Sequence, residues 1–256
     1  MNILVTNDDG ILAPGLRALV AALLPLGTVR VVAPEREQSA SGHSITLHKP
    51  LRMDAVDLEG LDVEAFSTNG TPADCVILGC LTAEPKPDLV MSGINRGANM
   101  GEEVLYSGTV SAAMEAAIQR RKSIALSVAS YMTDDFSAAA RIGARLAALT
   151  PEIDLPADSF LNVNVPPGPW EDLAGVAITR LGRREYLNRV ERREDPRGRA
   201  YYWFTGSPAE ASADAGTDIC AIRAGRISIT PVHFDLTGYA SLPGLECLAT
   251  RLLGES

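Results

Sequence analysis

Apolar segments of strand length alternate with helical patterns through the first 165 residues of the chain. Ile3–Thr6 predicts a short buried strand, Asn7–Ala13 a loop, and Pro14–Leu24 a helix. One face of that helix carries Leu16, Leu19, Val20 and Leu23. Gly27 ends the helix before Val29–Val32, the next predicted strand. This alternation is typical of βαβ units, in which helices cover both faces of a parallel sheet.

The same rhythm continues along the chain, with two long polar loops between the regular elements. The predicted strands are Ser44–Val56, Val63–Ser67, Leu89–Ser92, Ile124–Val128 and Phe160–Val165. The predicted helices are Pro72–Cys80, Thr109–Arg120 and a helix that Asp134 caps and that ends near Leu149. The predicted loops are Ala33–Ser44 and Gly93–Gly108. We interpret Ser44–Val56 and Val63–Ser67 as antiparallel additions to the sheet or as a hairpin.

The pattern changes after Gly168, where strand-like runs replace the alternation of strands and helices. These runs are Val176–Leu181, Tyr201–Phe204 and Arg226–Thr230, and a short amphipathic helix is predicted over Leu245–Leu253. We therefore divide the chain into an α/β region, residues 1–167, and a β-rich region, residues 168–256. Arginines and acidic residues mix between residues 180 and 199, which is typical of a solvated arm. The aromatic run Tyr201–Phe204 fits an oligomer contact on that arm, or a strand in the protein's own core.

Charge and hydropathy exclude several classes of protein. The 256 residues carry 23 Lys plus Arg and 32 Asp plus Glu, a formal net charge of −9, which disfavours binding to nucleic-acid polymers and anionic membranes. The most apolar stretch, residues 15–32, is broken by arginine and proline and predicts no transmembrane helix. Two acidic residues in the opening MNILVTNDDG disfavour a signal peptide. The cysteines Cys75, Cys80, Cys220 and Cys247 are too dispersed for a CxxC pair and indicate reduced thiols, so we expect a cytoplasmic protein.

Two adjacent acidic residues, Asp8 and Asp9, come directly after the first predicted strand. In a parallel α/β sheet this is the carboxyl edge, where ligands bind. Gly10 lets the chain turn there, so that both carboxylates can converge on one point. Such carboxylates repel each other unless a cation lies between them, and this favours a divalent metal site. The alternative is that one acid caps a helix and the other is solvated.

Two further loops are expected at the same edge of the sheet. The loop after the second strand offers Ser39, Ser41, His43 and Ser44, and the loop after Leu89–Ser92 offers Asn95 and Asn99. Hydroxyl, amide and carboxylate oxygens suit a hard cation such as Mg²⁺, Mn²⁺ or Ca²⁺. Taken singly, each Ser or Asn is a common turn residue. The three histidines, His43, His48 and His233, are too scattered to indicate a histidine metal site.

The stretch Tyr106–Ser111 opens a helix at this edge and offers free N–H groups together with hydroxyls. A helix N-terminus of this kind is an anion site that suits a phosphate. Ser107 or Thr109 as a simple N-cap is the alternative. A metal beside an anion site indicates phosphoryl chemistry.

Taken together, these sequence blocks resemble a known family, the SurE family of stationary-phase survival proteins. The resemblance covers nearly the whole chain, through ILVTNDDGILAPGL, VVAPEREQSASGHSITL, STNGTPADCV, PDLVMSGINRGANMGEEVLYSGTVSAAMEAA, LNVNVP and GTDICAIRAGRISITPVHFDLT. It implies a divalent-metal-dependent phosphatase that hydrolyses nucleoside 5′- and 3′-monophosphates, with exopolyphosphatase activity as a side reaction.

The resemblance also implies an architecture and a set of site residues. The expected fold is a Rossmann-like three-layer sandwich with a mostly parallel sheet, followed by a C-terminal β-rich arm that exchanges segments with a partner in homodimers or homotetramers. One divalent cation per subunit, Mg²⁺ or Mn²⁺, with Ca²⁺ as a substitute in crystals, is expected on Asp8, Asp9, Ser39 and Asn95. The phosphate is expected on Asn99, Ser107, Gly108 and Thr109. His43 receives no catalytic role.

Our hypothesis is that Asp8 and Asp9 are catalytic and that the cation activates water for in-line attack on phosphorus. Asp8 could instead act as a general base or as the nucleophile. Of the competing classes, a receiver-like cation-binding module needs a third Asp after a central strand, where this chain has Met91-Ser92-Gly93. Aspartyl-phosphate hydrolases need an Asp-x-Asp spacing and dinucleotide-binding enzymes a G-x-G-x-x-G turn, and both are missing here. An interaction protein would not explain acids beside an anion site.

Overall fold

The computed structural model describes residues 1–183, 189–205 and 214–252. The strands are β1 (Asn2–Thr6), β2 (Thr28–Pro34), β3 (Met53–Ala55), β4 (Glu64–Thr68), β5 (Leu89–Arg96), β6 (Lys122–Val128), β7 (Ser159–Val165), β8 (Val176–Ile178), β9 (Arg189–Glu194), β10 (Ala200–Thr205) and β11 (Ile227–His233). The helices are α1 (Pro14–Leu23), α2 (Pro72–Thr82), α3 (Gly108–Ile118), α4 (Ser137–Leu149), α5 (Asp218–Arg223) and α6 (Leu242–Leu252).

Nine of these strands form one sheet in the order β3-β4-β2-β1-β5-β6-β7-β11-β8. The central strands β4, β2, β1, β5, β6 and β7 are parallel, whereas β3 and β11 pair antiparallel to their neighbours β4 and β7. From β1 the chain first moves outward to β2 and then returns to β5 on the other side of β1. The carboxyl ends of β1 and β5 therefore form the topological switch point, which is the ligand crevice of open α/β sheets.

Helices cover both faces of the sheet. On one face, α1 and α4 pack together over a core that includes Leu16, Leu19, Leu126 and Leu146. On the other face, α2 and α3 pack together, and Cys75, Val76 and Ala112 lie against Leu4 and Val90. The predicted Rossmann-like, mostly parallel α/β sandwich is confirmed.

Several predicted boundaries differ from the structure, most clearly at residues 44–52, at the end of β5 and at the start of α4. Residues 44–52 form no strand, because side chains bind their amides: Thr46 N donates to Asp74 Oδ1 and Arg52 N to Asn69 Oδ1, each at 3.0 Å. Strand β5 continues past Ser92 to Arg96. Helix α4 has Phe136 at its N-cap rather than Asp134, and it is the Asp135 carboxylate that accepts from Ser137 N, at 2.8 Å.

The C-terminal part contributes to the same sheet and also forms a separate ribbon. Strands β8 and β11 extend the main sheet, so that the sheet contains strands from both sides of residue 167, and the two-region division stays a prediction. Strands β9 and β10 form a two-stranded antiparallel ribbon. Sequence reasoning missed β9 and α5. On β10, Tyr201, Tyr202 and Trp203 are 39%, 61% and 57% exposed, so these side chains do not belong to the core of this chain.

Among the described residues, no helix has both the length and the apolar character needed to cross a bilayer.

Candidate metal and phosphate site

Asp8 and Asp9 lie in the turn that follows β1, at the switch point of the sheet. The Asn7 side chain shapes this turn, since its Nδ2 donates to Gly10 O at 2.9 Å and its Oδ1 accepts from Gly10 N at 3.2 Å. The main-chain oxygen of Asp8 accepts from Gln38 N at 2.8 Å, which ties the loop after β2 to the acid pair. The two acids and the loop that carries Ser39 are therefore held together by main-chain contacts.

The first turn of α3 packs directly against Asp8. Thr109 Oγ1 donates to Asp8 Oδ1. A Cβ on Gly108 would lie 2.7 Å from Asp8 Cβ and 2.9 Å from Asp8 Oδ2, so only glycine allows this approach. Ser107 is the N-cap of the helix, because its Oγ accepts from Val110 N at 3.1 Å. The positive end of the α3 dipole thus points at the Asp8 carboxylate.

The electrostatics of the acid pair call for a cation. Burial raises the pKa of Asp8, and the hydroxyl of Thr109 offsets only part of that effect. Burial, together with the negative charge of Asp8, raises the pKa of Asp9 to about 6. It is costly to ionise two buried carboxylates side by side, and a divalent cation between them makes the ionised forms favourable.

One cavity brings most of the predicted ligands together. Its volume is about 290 Å³, and its walls include Asp8, Ser39 and Asn95 from the predicted metal set with Asn99 and Ser107 from the predicted phosphate set. Ser39 Oγ donates to Glu37 Oε1 at 2.6 Å. Asn95 Nδ2 donates to Gly97 O at 2.8 Å, which orients the amide so that its oxygen can serve as a ligand.

Asp9 lines an adjacent cavity of about 430 Å³, which shares Ser39 with the first. The Oδ2 atom of Asp9 accepts a hydrogen bond from Arg96 N at 3.4 Å. Thr109 is fully buried beneath Asp8, and Gly108 touches the same carboxylate. The roles of Gly108 and Thr109 in phosphate binding therefore stay predictions, whereas their contact with Asp8 is a feature of the structure.

The donor set fits a hard divalent cation. It consists of two carboxylates, one hydroxyl and one amide oxygen, which are the ligands that Mg²⁺ and Mn²⁺ accept alongside water and substrate. In the ranges that the structure describes, no group of three or more His, Cys, Asp or Glu side chains could hold a metal ion.

A buried asparagine network, which sequence reasoning missed, positions Asn99. Asn99 N donates to Asn164 Oδ1 and Asn99 Nδ2 donates to Ser127 Oγ, both at 2.8 Å. The Nδ2 atoms of Asn162 and Asn164 donate to Asn99 O at 2.8 and 2.9 Å. The motif LNVNVP indicates that Asn162 and Asn164 share one face of a strand, since residues two apart in a strand do so, but it does not identify Asn99 as their partner. Arg96 and Tyr131, which line both cavities, were also missed.

The remaining loop residues serve local structure. Ser44 Oγ donates to Ser41 O at 3.1 Å, as expected of turn residues. His43 Nε2 lies 2.9 Å from Glu115 Oε2 on α3 and anchors the loop there, outside the residues that line the two cavities.

We expect Asp9→Asn to raise the free energy of unfolding of the metal-free protein at pH 7.5. The expected gain is only about 1 kcal/mol, because water screens the charge of this half-buried carboxylate. The pKa of Asp9 rises from 3.8 to about 6 on folding, so the folded state binds more protons than the unfolded state between these pH values. Stability of the parent therefore falls as pH rises through this window, and the asparagine removes that loss. Urea unfolding in chelator should show the two proteins apart at pH 7.5 and converging towards pH 4; an equal gap at both pH values would contradict this account.

Known proteins resemble this chain over most of its length. The family model described as "Survival protein SurE" matches residues 3–188. A protein of Moorella thermoacetica named 5′-nucleotidase SurE is 54% identical over 241 residues, which is 94% of this chain and 93% of the relative. A Geobacter sulfurreducens protein of the same name is 51% identical over 249 residues, 96% of this chain and 93% of the relative. The crystal structure of the SurE protein from Aquifex aeolicus is 41% identical, with a TM-score of 0.86 over 97% of this chain and 100% of that one.

Proposed function

The chain belongs to the SurE family, and we propose that it is a divalent-metal-dependent phosphomonoesterase that hydrolyses nucleoside 5′-monophosphates to nucleoside and phosphate. Its relatives carry the name 5′-nucleotidase. The observation that carries the proposal is the pair of adjacent carboxylates at the switch point of the sheet: Asp8 is held by Thr109 at the N-terminus of α3 and lines a cavity with amides and hydroxyls, and Asp9 lines the neighbouring cavity. Nucleoside 3′-monophosphates are further substrates, and the terminal phosphates of polyphosphate are substrates of a side activity.

One divalent cation per subunit, Mg²⁺ or Mn²⁺, would be held by Asp8, Asp9, Ser39 and Asn95. When bound, it supplies charge neutralisation and Lewis-acid polarisation of a phosphate oxygen. The acid pair gives this cation its binding energy, because each carboxylate is held where burial or a neighbouring charge disfavours its ionised form.

The phosphate would occupy the 290 Å³ cavity. The Asn99 side chain and the Ser107 hydroxyl offer hydrogen bonds there, and the α3 dipole favours negative charge at its N-terminus. The asparagine network on β7 keeps Asn99 in place, so that little ordering is required when the substrate binds.

Two roles fit Asp8 in the hydrolysis. Its buried carboxylate, oriented by the Thr109 hydroxyl, suits a general base that accepts a proton from the attacking water, and it also suits a nucleophile. Rapid acid quenching during turnover separates these roles, because only the second leaves an acyl phosphate on Asp8.

A receiver-like, non-catalytic module is not favoured. Such a module needs an aspartate at the end of a central strand next to the acid pair, whereas β5 carries Ser92, Gly93 and Ile94 there. The strand contains no carboxylate that could accept a phosphoryl group.

We propose further that the protein forms homodimers or homotetramers through the β9–β10 ribbon and acts in the cytoplasm. The exposed aromatic side chains of Tyr201, Tyr202 and Trp203 support an interface on the ribbon.

The cysteines support the proposed cytoplasmic location, because Cys75, Cys80 and Cys220 are free thiols, as suits a reducing compartment. The net charge of −9 supports neither nucleic-acid polymers nor anionic membranes as partners.

The experiment that tests the function is phosphate release from nucleoside 5′- and 3′-monophosphates by chelator-stripped protein, with Mg²⁺, Mn²⁺ or nothing added back. We expect release only with added metal, and the panel ranks the nucleotides and the metals at once. Folded protein that releases no phosphate with any metal would overturn the proposal.

A further inference from the structure

Two cavities meet at the acid pair, and they share one wall. The 290 Å³ cavity contacts Asp8 and the 430 Å³ cavity contacts Asp9. Ser39, Arg96 and Tyr131 line both. A ligand that reaches across this shared wall would therefore pass directly over the acid pair.

The two cavities differ in chemistry. Besides the carboxylates of Asp8 and Glu103, the smaller cavity offers Asn99, Ser107 and the N-terminus of α3, which are hydrogen-bonding groups suited to phosphate. The larger cavity is walled by the start of α1, including Pro14, by Phe136, and by the acidic residues Asp9 and Glu37. Its size and its mixture of apolar walls with a few polar groups are those of a small-molecule pocket.

Tyr131 stands where the two cavities join. Its ring lies against the backbone of Gly97, since a Cβ at Gly97 would come within 2.3 Å of Tyr131 Cε1. Gly97 has φ of +114° and its N–H donates to Val128 O at 3.0 Å, so the surface beneath the ring is fixed to the end of β6. The Tyr131 side chain is 71% exposed, which leaves most of the ring open to a ligand.

Arg96 gives the shared wall a fixed positive charge. Its Nη2 lies 2.5 Å from Asp134 Oδ1, and its guanidinium stands 5.9 Å from the centroid of the Phe136 ring. The charge is thus held between the phosphate-binding groups on one side and the apolar pocket on the other.

We propose that the 430 Å³ cavity binds the nucleoside half of the substrate, with the base stacked on the Tyr131 ring and the phosphate ester lying across the wall formed by Ser39 and Arg96. This inference rests on the proposed nucleotidase function and deepens it. Tyr131 is then a specificity-determining residue that recognises an aromatic base, and the enzyme distinguishes nucleotides from sugar phosphates through this ring. Stacking of one base on an aromatic side chain is sequence-tolerant, so purine and pyrimidine nucleotides should both use it.

The test compares AMP with ribose 5-phosphate, which has the same phosphate and sugar but no base. Tyr131→Ala should raise KM for AMP about 5- to 100-fold, with kcat little changed, and leave KM for ribose 5-phosphate within about twofold. Tyr131→Phe keeps the ring and should restore the KM for AMP. Met132→Ala is the matched control, because Met132 is the neighbouring residue, is 90% exposed and lines neither cavity.

A Tyr131→Ala enzyme with an unchanged KM for AMP would overturn the inference, as would equal losses with both substrates. Failure of the proposed function is recognised separately, because the parent protein would then release phosphate from neither compound. In that case calorimetric titration with adenosine decides: binding to the parent that weakens at least fivefold in Tyr131→Ala sustains the nucleoside site, and any other result overturns it.

Discussion

Asp8→Asn is expected to lower kcat for phosphate release from AMP by ~10³-fold or more, equivalent to about 4 kcal/mol of transition-state stabilisation. The substitution removes a charge from the proposed cation site, and it does so at a carboxylate that lines the phosphate cavity and accepts the Thr109 hydroxyl of α3. The fold should persist, because asparagine retains an oxygen to accept the Thr109 hydroxyl. Burial raises the pKa of Asp8, so its charge opposes folding of the metal-free protein, and the variant should be at least as stable as the parent at neutral pH.

The matched control for Asp8→Asn is Asp88→Asn, the same chemical change at the opposite edge of the sheet. Asp88 Oδ2 accepts from Asn2 N at 2.8 Å, and asparagine can keep that bond. Steady-state kinetics with saturating Mn²⁺ and thermal unfolding of both variants give the comparison. Full activity in a folded Asp8→Asn protein would show that the acid pair is not the reaction centre.

The strands and helices that the sequence predicts well are those with two buried faces. In β1 and β6 nearly every residue is buried, so the short continuous apolar runs Ile3–Val5 and Ile124–Leu126 mark these strands without any knowledge of their neighbours. Residues 44–52 show the limit of that reasoning. Their pattern resembles a strand, but the amides of Thr46 and Arg52 bind the side chains of Asp74 and Asn69, which lie 28 and 17 residues further along the chain. No local pattern contains that information.

Some residues of the candidate site could likewise be predicted from the sequence and others could not. Asp8 and Asp9 could be predicted because the edge of a parallel sheet collects the residues that follow each strand. The partners of Asn99 could not, because they depend on β7 lying two strands away from β5, an order that alternation alone does not specify. Tyr131 is a clearer case: as an exposed aromatic residue in a loop it has no sequence signal, and only its contact with Gly97 brings it to the cavity.

The close approach of α3 to the acid pair has a consequence for stability as well as for activity. Gly108 is the first residue of α3, and ordinarily alanine would be preferred to glycine in a helix by about 1 kcal/mol. The Cβ of Asp8 reverses that preference, because it is fixed by the backbone of the turn after β1 and cannot move aside as a flexible side chain would.

Gly108→Ala is therefore expected to lower the free energy of unfolding by about 1–3 kcal/mol and kcat/KM by ~10²-fold. The added methyl group would lie 2.7 Å from Asp8 Cβ, so either the helix or the acid pair must shift. Gly244→Ala on α6, where the methyl group meets nothing within 4 Å, should leave activity unchanged. In a chain that already carries Asp8→Gly, the alanine at position 108 should no longer destabilise the fold, since the colliding Cβ is gone. Urea unfolding of the parent, the two single variants Gly108→Ala and Asp8→Gly, and the double variant gives the comparison. If Gly108→Ala lowers the free energy of unfolding equally in the Asp8→Gly background, Gly108 is required for another reason.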